Sequence, residues 1–233
     1  MSGIIKKEWN QYFKSMTGYV FIAIFLVITG LYFVMVNLMS QNGDIRSFFS
    51  AIFSVIMFLI PILTMRSYSE EKKQRTDELL LTSPVRITWV ILGKFIATFL
   101  VFLTALSFTL LYPAVLAALG SFDPMVTMGN YLGLALMAAV FISIGLFVSV
   151  QTESQLVSAV VTYAIILLLY LMNSAKIFID GAAGKILNFF AVTGHFEEFT
   201  YGIFNTGSVL YFISITAIFL FFSIYSLEIK RLV

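Results

Sequence analysis

The sequence predicts an all-α membrane protein with six transmembrane helices. Three observations carry that prediction. The chain of 233 residues is 60% hydrophobic and only 11% charged, whereas a soluble domain is nearer half apolar and a quarter charged. The apolar residues stand in long uncharged blocks, as a bilayer-spanning chain requires. Many of the aromatic residues gather at the ends of those blocks, where interfacial belts form.

Residues 1–18 do not read as a cleavable signal peptide. They carry Lys6, Lys7, Glu8 and Lys14, and no small-residue cleavage site follows a short apolar core. Ile4, Ile5, Trp9, Tyr12, Phe13 and Met16 recur at helical spacing with polar residues between them. That pattern predicts a helix lying in the membrane interface. No charge occurs from Ser15 to Gly43, and about 20 apolar residues suffice to cross the hydrocarbon core. The first span is therefore placed at residues 19–39. The others follow at 48–65, 95–119, 131–150, 156–172 and 209–227. Pro61, Pro113 and Gly145 fall inside these spans, where neighbouring helices can satisfy the backbone. In the fourth span Ala135, Ala139 and Ser143 form a small-residue face suited to close helix approach.

Orientation follows from lysine and arginine. With the N-terminus inside, the inner side carries eleven of them: Lys6, Lys7, Lys14, Arg66, Lys72, Lys73, Arg75, Arg86, Lys94, Lys230 and Arg231. The outer side carries three, Arg46, Lys176 and Lys185. This asymmetry predicts that both termini are cytoplasmic. The outer segment 173–207 is rich in Ile, Phe and Ala, too apolar for a solvated loop. It is expected to dip back toward the membrane as short re-entrant helices.

The densest charge lies in residues 66–94, between the second and third spans. Ser67 and Glu70 read as a capping box, and Glu71 and Arg75 as an i, i+4 ion pair. Pro84 after Ser83 is a stop signal. A helix of about four turns is expected over residues 68–81, charged in its first half and carrying Leu79, Leu80 and Leu81 in its second. By charge alone this could also be an ordinary solvated loop.

This stretch resembles the loop between the second and third spans of ABC-2-type permeases. The matching positions are Arg66, Ser67, Glu70, Glu71, Thr76, Glu78, Leu79, Leu80, Pro84, Gly93 and Lys94. Arg75 departs from the pattern, standing where that family usually has glycine, so a stiffer loop is expected. Residues 194–212 and 226–232 are similar to the last outer loop, sixth span and basic tail of the same family. The finer likeness is to its small gliding-motility-associated and copper-related permeases. The resemblance implies one ABC-2-type transmembrane domain over residues 1–233, in a bacterial inner membrane. Residues 66–86 would form its coupling loop. Glu70, Glu71, Arg75, Thr76, Glu78, Leu79, Leu80 and Pro84 would then contact an ATPase. The implied partners are two ABC ATPase subunits, a second permease copy or homologue and membrane lipid, with an auxiliary extracytoplasmic protein as a further candidate.

Other chemistries lack their residues. Gly93-Lys94 and Gly184-Lys185 are followed by Phe95 and Ile186, so neither is a nucleotide-binding P-loop. ATP hydrolysis is expected from another chain. There is no cysteine, and the single His195 with Glu197 and Glu198 is not a zinc-protease motif. No metal or cofactor is expected. A net charge of +2 gives no case for nucleic acid. The span cores as bounded above hold no ionisable residue, which argues against proton or sodium coupling. Alternative readings are a non-transporting membrane scaffold for a motility or secretion machine and a membrane-embedded enzyme.

Overall fold

A computed structural model describes residues 2–40, 43–75, 86–120, 123–175 and 191–232. The described chain is helical throughout. Amphipathic α1 (Ser2–Lys14) leads through a turn at Met16 into α2 (Thr17–Phe33), which widens into a π-helical turn over Val34–Met39. There follow α3 (Ile45–Thr64), short α4 (Ser69–Lys73), α5 (Ile87–Phe108) and α6 (Leu111–Ala118). The last four are α7 (Pro124–Gln151), α8 (Gln155–Ala175), α9 (Val192–Thr200) and α10 (Thr206–Leu232). Among the described residues, six stretches are long and apolar enough to cross a membrane, in the order expected from the sequence.

The third of these is not one rod. Pro113 has no N–H to return to the Thr109 carbonyl. The chain relaxes there into tighter turns, with Thr109 and Leu110 donating to Leu106 and Ser107. The span breaks between α5 and α6. It also begins eight residues before residue 95, because the charged Lys94 lies inside α5. The span cores as bounded from the sequence hold no Asp, Glu, Lys or Arg, but Lys94, one residue before the third, is buried within the helix.

Helix α7 is the hub, packed against α3, α5, α8, α9 and α10. Small residues let the others approach it. A methyl group on Gly129 would sit 2.5 Å from the Phe199 carbonyl oxygen, and one on Gly133 2.9 Å from Phe199 Cβ, so α9 rests on bare backbone. A methyl group on Gly145 would overlap the Thr64 side chain of α3. The face expected from sequence does less. Ser143 is buried, but its hydroxyl bonds back to Val140, and Ala135 and Ala139 are half-exposed. At the end remote from α4, Tyr112 stacks on Phe33 at 4.8 Å and meets Phe48 edge-on, tying α6 to α2 and α3.

Candidate functional site

The charged stretch enters the fold through its first half. Tyr68 and Ser69, at the start of α4, both donate their backbone N–H to Ser149 Oγ at 3.0 Å. The Ser69 hydroxyl returns a bond to the Ser149 carbonyl at 3.1 Å. The α4 N-terminus is thus capped from α7, eighty residues away in sequence. The expected Ser67–Glu70 capping box does not form, because the Ser67 hydroxyl lies 3.0 Å from the Tyr12 phenol. Loss of a helix cap costs about 1 kcal/mol. Ser149→Ala should lower the thermal midpoint measured by scanning fluorimetry in detergent, and Ser149→Thr should recover part of the loss.

Lys94 sits under this turn at 2% exposure. Its ammonium has three protons and meets three acceptor groups. These are the Ser67 carbonyl at 2.7 Å, Glu71 Oε1 at 2.9 Å and both Glu8 oxygens at 3.2 Å. Glu8 comes from α1, Glu71 from α4 and Lys94 from α5, so one buried cation joins three elements. Beside it runs a chain of hydroxyls. Thr98 donates to the Lys94 carbonyl at 2.8 Å, which leaves its oxygen to accept from Tyr12, also at 2.8 Å. Tyr12 in turn accepts from Ser67. Burial raises the Tyr12 pKa above its ordinary value, which keeps the phenol a donor. Gly93 makes room for all this, since a methyl group there would lie 2.6 Å from Ile4 of α1. The Gly93-Lys94 pair therefore has a local physical role: glycine lets α1 close on α5, and lysine ties it there.

Around this knot, Lys72 pairs with Glu153 at 3.6 Å, and Arg66 donates to Gln155 at 3.3 Å. Lys230 donates to the Val150 carbonyl at 3.0 Å. The two chain ends and residues 66–75 thus gather at one end of the bundle.

Of the residues expected to contact a partner, Glu71 is buried and bonded to Lys94, not extended from the surface. Glu70 is half-buried beside a small cleft that Glu8, Tyr12 and Arg66 also line. Arg75 is exposed. Thr76, Glu78, Leu79, Leu80 and Pro84 lie outside the described residues. Helix α4 ends at Lys73, short of the expected four turns. Arg75 then takes φ 55°, a left-handed conformation, so it does not continue the helix toward an i, i+4 partner. An L side chain costs about 1 kcal/mol in this conformation and glycine almost nothing. The expectation of a stiffer loop becomes a specific one of strain. Arg75→Gly should raise the thermal midpoint slightly, and a fall would show that the arginine side chain contributes more than its backbone costs.

At the other end His195 stacks on Tyr211 at 4.1 Å, and its Nδ1 lies 3.1 Å from Ser208 Oγ. Ser208 donates to Glu198, which also accepts from Asn205 at 3.3 Å. This cluster clips α9 to the start of α10. Among the described residues, no three His, Cys, Asp or Glu side chains are placed to hold a metal ion. Thr29 and Thr104, polar residues within spans, return their hydroxyl bonds to Phe25 and Leu100 of their own helices.

The fold and site define a multi-pass helical membrane protein with a charged, polar-tied assembly at one end and no nucleotide-binding loop in the chain. The family model for ABC-2 family transporter proteins matches residues 3–228. The chain belongs to that family and is the membrane permease subunit of an ABC-2 transporter, a component without an ATPase domain. No curated protein matches it.

Glu8, Tyr12 and Ser149 were not singled out for this site by sequence. A signal existed for Glu8: a lysine about two turns into an apolar helix needs a buried acid, and few acids lie near the same end.

Proposed function

We propose that the end bearing α1, α4 and Lys94 is cytoplasmic and receives the movement of two ATPase subunits. Under this reading α4 opens the coupling loop. Lys73, Gln74 and Arg75 lie on its exposed side, and residues 76–85 complete the contact. The observation that carries the reading is the buried Lys94, which fastens this turn to α1 and α5 so that a push on the loop reaches the bilayer. The concentration of lysine and arginine at this end supports the orientation. Helix α1 would lie in the inner interface, its exposed Lys6, Lys7 and Lys14 toward lipid headgroups. Helix α9 would form the described part of the outer re-entrant segment. The apolar faces of α2 and α8 are largely uncovered within one chain, which suits a second permease copy or homologue. The narrower likeness to gliding-motility permeases rests on sequence resemblance alone.

Co-expression with its ATPase tests this reading. Glu70→Lys with Glu78→Lys should abolish co-purification and membrane-stimulated ATP hydrolysis while the permease still folds. Unchanged association and hydrolysis would overturn it.

A further inference from the structure

The break at Pro113 has a consequence at the far end. Between α5/α6 and α7 it leaves an open, mostly apolar slot of about 660 Å³. Leu103, Leu106, Leu110, Pro113, Met128 and Leu132 contribute to its walls. On α7 the lining runs from Thr127 to Ala135, about 12 Å at 1.5 Å per residue. One leaflet of hydrocarbon is about 15 Å thick. The slot is therefore about as long as a single leaflet, and it lies in the half of the bundle remote from Lys94.

Its mouth is polar. Thr127 also lines a second cavity of about 310 Å³, shared with Asp44, Arg46, Asp123 and Val126. Asp44 and Asp123 each use Oδ1 to cap a helix, on Arg46 N at 2.9 Å and on Met125 N at 3.0 Å. The Arg46 guanidinium lies 3.8 Å from Asp44 and 5.2 Å from the Tyr201 ring centre. The cup thus offers one fork-shaped cation and two carboxylates, and shares Thr127 with an apolar slot of leaflet length.

We propose that slot and cup together bind one phospholipid of the leaflet remote from Lys94, with its acyl chain against α6 and α7 and its headgroup in the cup. The charges select the headgroup. Arginine matches a phosphate by paired hydrogen bonds, and two carboxylates match an ammonium with N–H groups to donate. A purely anionic headgroup would meet two negative charges against one positive. The occupant is a phospholipid whose phosphate carries a primary ammonium.

The test uses the full chain in nanodiscs of phosphatidylcholine doped with diazirine-acyl phosphatidylethanolamine or diazirine-acyl phosphatidylglycerol, photolysed and mapped by mass spectrometry. Adducts should concentrate on α6 and on the start of α7, several-fold more with phosphatidylethanolamine. Arg46→Glu, at a half-exposed position, should lower slot labelling by both lipids, and Asp44→Asn with Asp123→Asn, which keeps an oxygen at each helix cap, should remove the preference. Ala135→Trp should clear the slot adducts while leaving those on α2. Even labelling of all apolar faces, or equal labelling by the two lipids, would overturn the proposal. So would a second copy filling the slot: the chain has no cysteine, so a Met128→Cys disulfide dimer formed in native membranes would report it.

Discussion

Lys94→Met should be the most damaging single substitution at the charged end. It leaves Glu8 and Glu71 buried with their shared counter-ion gone. Removing one partner of a buried ionic group costs about 3–5 kcal/mol, a large part of the stability of an average domain. The expected result is a protein that aggregates on extraction or melts well below the wild type. The neutral triple variant Glu8→Gln, Glu71→Gln, Lys94→Met should fold again, because no charge is then left unpaired in the interior. Its ATP-driven transport should stay low, since the polar tie between α1, α4 and α5 is gone. If the single variant melts like the wild type, Lys94 is not the buried hub described above.

The second large effect is expected at the opposite end. Gly129→Val would place a side chain against the Phe199 carbonyl oxygen and within 3.2 Å of Gly202 Cα, both backbone atoms. Overpacking of this kind costs about 1–3 kcal/mol, and here it can be relieved only by moving α9 off α7. A Thr193→Cys reporter, buried in the parent, should then react with a water-soluble maleimide. Continued protection would show that α9 is held mainly by α10 and the His195–Ser208–Glu198 clip.

The six spans were legible in the sequence because length and apolarity alone select a bilayer-crossing helix. The amphipathic α1 was legible for the same reason at a different period. What was not legible depended on contacts between distant residues. Ser67 looked like a helix cap, and the real cap, Ser149, comes from another span. Glu71 looked like a surface partner of Arg75 and is instead bonded to Lys94. The break at Pro113 depended on whether neighbours would rescue the backbone, which no local pattern states. The glycines of α7 were less conspicuous than the alanine–serine face, yet they are where helices touch. The departure at Arg75 was visible in the sequence, and the backbone conformation supplies its physical meaning.

Under the proposed function, α1 and residues 66–75 move as one body when the partner ATPase closes. Spin labels placed through Gln11→Cys and Lys73→Cys, both exposed positions in a chain with no cysteine of its own, measure it directly. By double electron–electron resonance on the assembled complex, the distance between residues 11 and 73 should be the same without nucleotide and with ATP trapped. The distance from either label to one at Asn205 should change. A nucleotide-dependent shift between residues 11 and 73 would contradict the account, because the Lys94 knot could not then be rigid.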